Sequence, residues 1–128
     1  MTQEDKDLLY RDLCARIPYG VKCVFGVDDA IYEICGINPT CCGASEIQAT
    51  HIKSSINGDF TLNSLKPYLF PLSSMTEEQE KECQQIKHSY YFDDDSFVLF
   101  DWYNKNHFDY RGLIERGLAI KAPEGMYN

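Results

Sequence analysis

The stretch VKCVFGV, residues 21–27, places an apolar residue at every second position, and this alternation constrains the fold more than any other feature. The alternate positions share one face of a β-strand: Val21, Cys23, Phe25 and Val27. A two-residue loop at Asp28-Asp29 would bring AIYEICGI alongside, with Phe25 opposite Tyr32 and Cys23 opposite Ile34. A slip of one residue would scatter the apolar side chains to both faces. The sequence therefore predicts a β-hairpin over 21–37 with these four side chains buried.

An N-terminal helix precedes the hairpin. Thr2 is its expected N-cap, with Asp5 three residues on as a weak capping box, and Pro18 and Gly20 end it. Downstream of the hairpin, residues 46–56 form a third strand, closed by the turn cue Asn57-Gly58. The proline-rich piece LKPYLFPL, 65–72, is predicted to be an extended or single-turn connector.

Further helices follow in the second half of the chain. One begins at Thr76, where Gln79 completes a capping box, and runs to about Ile86 as a polar surface helix. A last short helix opens at Asp109, its expected N-cap, and ends at Gly117. Together these signals predict one α+β domain over 1–128. It has an N-terminal helix, a small antiparallel sheet with the hairpin at 21–37, and helices packed on one face of that sheet.

Nine of the seventeen aromatic residues fall between positions 90 and 110. Within that run, residues 97–104 fit either a buried helix or a strand. Helix is favoured because Val98 is the one β-branched residue there and NKN closes the segment. Aromatic side chains bury the most apolar area per residue, so a core claims them first. Tyr hydroxyls and the Trp N–H also need partners, so we expect part of the cluster to reach the surface.

The aromatic region 97–114 is therefore the candidate contact surface. Its candidate binding residues are Trp102, Tyr103, His107, Tyr110 and Arg111. We expect the occupant to be a protein partner or a second copy of the chain. The sequence predicts an accessory or binding protein rather than an enzyme.

The net charge of −8 makes direct binding of nucleic acid unlikely in this interpretation, because phosphate contacts need clustered Lys and Arg. An acidic inhibitor that mimics DNA stays open as an alternative. No stretch approaches the roughly 18 apolar residues of a membrane span. The first thirteen residues, MTQEDKDLLYRDL, are too polar for a signal peptide, so we expect a cytoplasmic location.

Metal and thiol chemistry find little support in the spacing of the cysteines. The chain has six of them, none in a CxxC-like pair, and Cys41 and Cys42 are adjacent. In a reducing cytosol we expect buried free thiols, no cofactor and no metal. The run Asp93–Asp95 lacks the alternating ligands of a calcium loop and is typical of a solvated helix cap.

A second alternative is a small thiol- or His-dependent enzyme that uses His107. His107 and Asp109 lie two apart, the pattern of the orienting half of a catalytic pair. The same residues are explained by a capping Asp109 beside a partly exposed linker histidine, and we favour that interpretation. A thiol within about 4 Å of His107 in a pocket would favour the enzyme.

Three blocks of the sequence, LLYRDLCARIPYGVKC, LKPYLFPLSSMTEEQEKE and FDYRGLIERGLAIKAPEGMY, resemble a family of small uncharacterised proteins. That family belongs to gut bacteria of the Bacteroides type and to their prophages and other mobile elements. Together the blocks hold 54 of the 128 residues. The resemblance implies a cytosolic accessory protein and a helix–turn–helix path after residue 101, and it carries no activity, cofactor or catalytic residue.

Overall fold

The computed structural model describes residues 2–26, 30–37, 47–89 and 96–127 and has the predicted α+β architecture. Its helices are α1 (Gln3–Arg16), α2 (Glu77–Ser89) and α3 (Ser96–Lys105). Its strands are β1 (Lys22–Phe25), β2 (Ile31–Ile37), β3 (Ile47–His51), β4 (Asn57–Phe60), β5 (Leu65–Pro71), β6 (Phe108–Asp109) and β7 (Ile120–Lys121). Several predictions fall outside the described residues, namely the Asp28-Asp29 turn, Cys41, Cys42 and the Asp93–Asp95 run.

The predicted capping of α1 is confirmed. The Thr2 hydroxyl accepts from the Asp5 backbone N–H at 3.1 Å, and the Asp5 carboxylate accepts from the Thr2 N–H at 3.5 Å. The helix gives way to a 3₁₀ turn over Ile17–Tyr19, and Gly20 ends it in the left-handed region at φ 73°. Leu9 and Leu13 on its inner face are fully buried.

The hairpin forms, and the four predicted side chains are all buried. Its register is wrong by two residues, because Cys23 lies opposite Tyr32 and Lys22 opposite Glu33. A shift of two residues leaves every side chain on its own face, so alternation decides which face is buried but not which residues pair.

The sheet is larger than expected and is mixed. Within the described residues its strand order is β4-β3-β2-β1-β5-β6, with β7 also paired to β5. β1 to β4 pair in antiparallel fashion, whereas β6 and β7 run parallel to β5. The parallel strands are two residues long, too short to leave an alternation signal in the sequence.

The strand predicted over 46–56 ends early, at His51, and the turn predicted at Asn57-Gly58 is wrong. Asn57 and Gly58 do not form the turn but open β4, paired with Thr50 and Ala49. The chain reverses over residues 52–55 instead, where the His51 Nδ1 accepts the backbone N–H groups of Lys53 and Ser54. The imidazole thus supplies the turn's acceptor, which sequence cues based on Asn-Gly do not register.

The predicted connector at 65–72 is also wrong, because β5 is a central strand. Pro67 is tolerated there since it sits opposite Cys23 in a pair that makes no ladder hydrogen bond. The Val21 carbonyl accepts from Ile34 N–H, so Val21 and Cys23 direct their backbone groups to β2 rather than to β5.

Two cores lie on opposite faces of β5. Leu65 and Leu69 join the first core with α1 and the hairpin, while Phe70 packs with Cys83, Tyr103 and Phe108 in the second core under α2 and α3. The helices pack against the sheet as predicted, α1 through the first core, and α2 and α3 through the second. The second core buries Tyr103 and Phe108 of the aromatic run, and Trp102 and Tyr110 pack against it.

The helix predictions for α2 and α3 are confirmed. Thr76 and Gln79 form the expected capping box, with reciprocal bonds of 2.9 and 3.2 Å, and residues 97–104 are helical. The last helix is wrong. Residues 113–117 form successive turns rather than an α-helix, because Gly112 takes φ 77° and redirects the backbone just after Arg111.

Candidate functional site

The aromatic run divides into a buried face and an exposed edge of α3. Tyr103 is 7% exposed, whereas Phe97 and Phe100 are 71% and 40% exposed. Phe97 and Phe100 are three residues apart, so they lie on the same side of the helix. We call this pair, with the half-buried Tyr110 beside it, the α3 edge.

Trp102 ties the two helices of the second core together. Its indole N–H donates to the Glu82 carboxylate of α2 at 3.1 Å, and its ring stacks on Phe108 with centroids 5.6 Å apart. The side chain is half-buried between these contacts. Trp102 therefore contributes mainly to holding α3 against α2 and β6.

Tyr103 reaches beneath α2, where its hydroxyl lies 3.7 Å from the Cys83 thiol. Burial, together with the hydrogen bond to Cys83, raises the pKa of Tyr103 to about 12. The two side chains form part of the lining of a groove of about 980 Å³ along α2. Tyr103 is a neutral packing residue at neutral pH.

Tyr110 and Arg111 extend the α3 edge. The Tyr110 ring stacks on Phe100 with centroids 5.1 Å apart, and it stacks on Tyr103 from within the core. Arg111 lies over the same ring at 4.9 Å and donates to the Tyr110 hydroxyl at 3.0 Å. Phe100 is thus the outermost ring of a stack that runs inward to the second core.

A buried ion pair lies behind this stack. The Arg16 Nε donates to Asp12 at 2.7 Å, both side chains are fully buried, and Arg16 also donates to the Phe108 carbonyl at 2.6 Å. The Arg111 Nε lies 3.3 Å from Asp12 as an ion pair whose geometry falls short of a hydrogen bond. These contacts join α1 to the segment after α3. Removing Asp12 or Arg16 would leave the other as an unpaired buried charge.

His107 occupies the strained end of α3. It takes φ 62°, in the left-handed region, and its side chain is 6% exposed. Its ring stacks on Tyr127 with centroids 3.5 Å apart, and its Nδ1 has no hydrogen-bond partner among the described residues. Burial, together with the positive charges of Arg16 and Lys22, lowers the pKa of His107 to about 4.

The predicted pairing of Asp109 with His107 does not form in the described part of the chain. The Asp109 carboxylate does not orient His107, because its two oxygens accept the backbone N–H groups of Leu113 and Ile114, each at 2.9 Å. Of the described thiols, Cys83 contacts Tyr103, and burial raises the pKa of the fully buried Cys23. Within the described ranges, no cluster of three or more His, Cys, Asp and Glu side chains could hold a metal ion.

The five candidate residues thus have different surroundings. Trp102 and Tyr103 belong to the second core, Tyr110 and Arg111 reach the α3 edge, and His107 lies inside against Tyr127. The sequence reasoning missed Tyr127 altogether, since its contacts are with residues up to 105 positions away. It also missed the Asp12–Arg16 pair, for which the i, i+4 spacing on the apolar stripe of α1 was a usable signal.

Comparison with protein-family models, with curated proteins and with solved structures returned no match to this chain. In the part of the chain that the structure describes, none of the helices combines the length and the apolar character needed to cross a bilayer. Function must therefore be argued from the residues themselves.

Proposed function

We propose that the protein is a non-enzymatic binding protein that contacts a protein partner through the α3 edge. The observation that carries this proposal is the exposure of two phenylalanines on one side of a short helix. Phe97 and Phe100 are 71% and 40% exposed, and Phe100 is anchored by stacking on Tyr110. An exposed aromatic side chain held rigid by a core is the typical anchor of a protein interface.

Charge favours one kind of partner. The chain carries −8, and the carboxylates of Glu82 and Asp101 belong to the same helix pair as the α3 edge. The complementary surface is an amphipathic segment with apolar side chains surrounded by Lys or Arg. A second copy brings another −8, so self-association through this edge is opposed by repulsion.

Two labelled helical peptides test the proposal, one made of leucine and lysine and the other of leucine and glutamate. Fluorescence anisotropy should show that the wild-type chain binds the basic peptide in preference to the acidic one. The double variant Phe97→Ser, Phe100→Ser should bind the basic peptide about tenfold more weakly, the equivalent of roughly 1.4 kcal/mol.

Ile56→Ser is the matched control, because Ile56 is 67% exposed at the far end of the sheet. It should bind as the wild type does. Equal binding by the double variant and the control would contradict the proposal. Sedimentation velocity of the wild type identifies the other occupant, since a dimer lost in the double variant would assign the edge to a second copy.

The setting of this function is part of the same proposal. A cytoplasmic accessory protein of Bacteroides-type bacteria or their prophages would fit the resemblance of the three sequence blocks.

A further inference from the structure

The side chain of Tyr127 fills a gap in the sheet between β1 and β5. The last residue pair of that ladder is Cys23 with Pro67, and the same register would next place Lys22 opposite Tyr68. There the Tyr127 hydroxyl intervenes: it accepts from the Lys22 N–H at 2.9 Å and donates to the Tyr68 carbonyl at 2.6 Å. A phenol group thus stands where a direct backbone hydrogen bond would otherwise form.

The ring of Tyr127 is enclosed by three side chains. It stacks on His107 with centroids 3.5 Å apart and 13° between the planes, and Phe70 meets its edge at 5.9 Å. The Lys22 ammonium lies 5.3 Å from the ring centroid. These side chains and the two backbone groups form a socket whose polar end matches a hydroxyl and whose sides match an aromatic ring.

The segment that delivers Tyr127 is weakly held elsewhere. After Ala122, whose N–H donates to the Leu69 carbonyl, the chain turns through Pro123 to Gly125 with Gly125 at φ 82°. In the described structure its other tie to the body is the Lys22 ammonium, which donates to the Met126 carbonyl at 2.6 Å. Few buried contacts mean a low free energy of local opening.

The same segment forms one wall of a groove of about 850 Å³. The groove is lined by Tyr68 and Phe70 of β5, by Thr76 and Gln79 at the start of α2, and by Pro123 to Gly125. Displacement of Tyr127 would free residues 123–125 from the groove and empty the socket at the same time.

We propose that residues 123–127 form a latch, and that the socket it closes is a preformed binding site for a phenol ring, filled in cis by Tyr127. Opened, the site accepts a phenol or the tyrosine side chain of another molecule. The latch opens without unfolding the rest of the chain.

Limited trypsin digestion of the full chain tests the latch. Cleavage after Lys121, at the base of the segment, should be at least about tenfold faster in Tyr127→Ala than in the wild type. Tyr127→Phe, which keeps the stacking and loses the hydroxyl, should fall between them. Tyr19→Phe, at an exposed tyrosine, is the matched control and should behave as the wild type does.

Cleavage after Arg16, whose side chain is fully buried at the end of α1, reports global unfolding. If cleavage at Lys121 rises only in proportion to cleavage at Arg16, or does not rise at all, the latch is overturned.

Chemical rescue tests the socket. Hydrogen exchange of the Lys22 amide should accelerate in Tyr127→Ala, and millimolar p-cresol should slow it again. Toluene has the same ring without the hydroxyl and should restore less protection. An unchanged Lys22 exchange rate in the variant, or no slowing by p-cresol, would overturn the phenol site.

Discussion

The single residue Asp109 organises the turn that follows β6, and its carboxylate is buried to do so. Both oxygens accept backbone N–H groups, from Leu113 and Ile114, each at 2.9 Å. It fulfils the capping chemistry predicted for it, although a series of turns takes the place of the predicted helix. A buried carboxylate with two such bonds stabilises more than an exposed N-cap, because its loss strands two donors away from water.

Asp109→Ala should therefore cost about 2 kcal/mol of unfolding free energy and lower the melting temperature by roughly 6–10 °C. Asp109→Asn keeps one acceptor oxygen and should lose about half as much. Thermal unfolding followed by circular dichroism measures both, with the exposed Glu115→Ala as control. Equal melting temperatures for Asp109→Ala and the control would show that the two bonds contribute nothing.

His107 makes stability depend on pH in the opposite sense to a paired histidine. Its pKa of about 4 in the folded chain lies below the ordinary value of 6.5, so the unfolded chain binds the proton more readily. The neutral ring's contribution is complete above pH 6.5 and is lost as the pH falls from 6.5 towards 4. The slope approaches at most about 1.4 kcal/mol per pH unit.

Urea unfolding at pH 7.5, 6.5, 5.5 and 4.5 measures this dependence. His107→Asn is the control, because asparagine tolerates the left-handed backbone and does not titrate. The variant should lose less stability than the wild type between pH 6.5 and 4.5, while the acidic residues affect both chains alike. Parallel curves would mean that His107 does not carry the dependence.

At the scale of elements, alternation and capping signals proved sufficient for α1, α2, α3 and the hairpin. They failed where a long-range partner decides the structure. The alternation in β1 is preserved by a shift of two residues, so it could not set the pairing of Cys23 with Tyr32. β5 contains two prolines that argue against a strand, and its position is set by β1, β6 and β7, which come from distant parts of the chain.

The candidate site was predictable to the same extent. The aromatic content identified the 97–114 region, but composition does not say which rings a helix turns inward. Trp102 and Tyr103 pack against α2, and Phe97 and Phe100 remain outside, because α2 covers only one side of α3. Nothing near Tyr127 in the sequence points to Lys22 or His107.

This division of α3 predicts that two aromatic substitutions lower the stability by very different amounts. Trp102→Ala removes the stacking on Phe108 and the bond to Glu82, and should destabilise the chain by about 2–4 kcal/mol. Phe97→Ala removes a ring that is 71% exposed and should change stability by less than about 0.5 kcal/mol. Urea midpoints measure both, and similar losses would mean that Phe97 belongs to the core.

At the scale of the whole molecule, the two cores differ in the number of side chains that they bury. Among the described residues, the first core holds fifteen buried side chains, from α1 through the hairpin to the turns after β6, whereas the second is built on Cys83, Tyr103 and Phe108. α2 exposes most of its surface and contacts the second core through Cys83. We therefore expect α2 to open locally at a lower free energy than the sheet.

The described cysteines differ in burial, so their reactivity can measure how easily α2 opens compared with the whole chain. Cys14 and Cys35 are exposed, Cys83 is 3% exposed under α2, and Cys23 is fully buried in β1. With a thiol reagent under native conditions, Cys14 and Cys35 should react first, Cys83 after local opening of α2, and Cys23 only on global unfolding. Peptide mapping by mass spectrometry assigns each rate to its residue. If Cys83 and Cys23 react at one common rate, which also tracks the urea dependence of global unfolding, the two cores open together and α2 is not a separate unit.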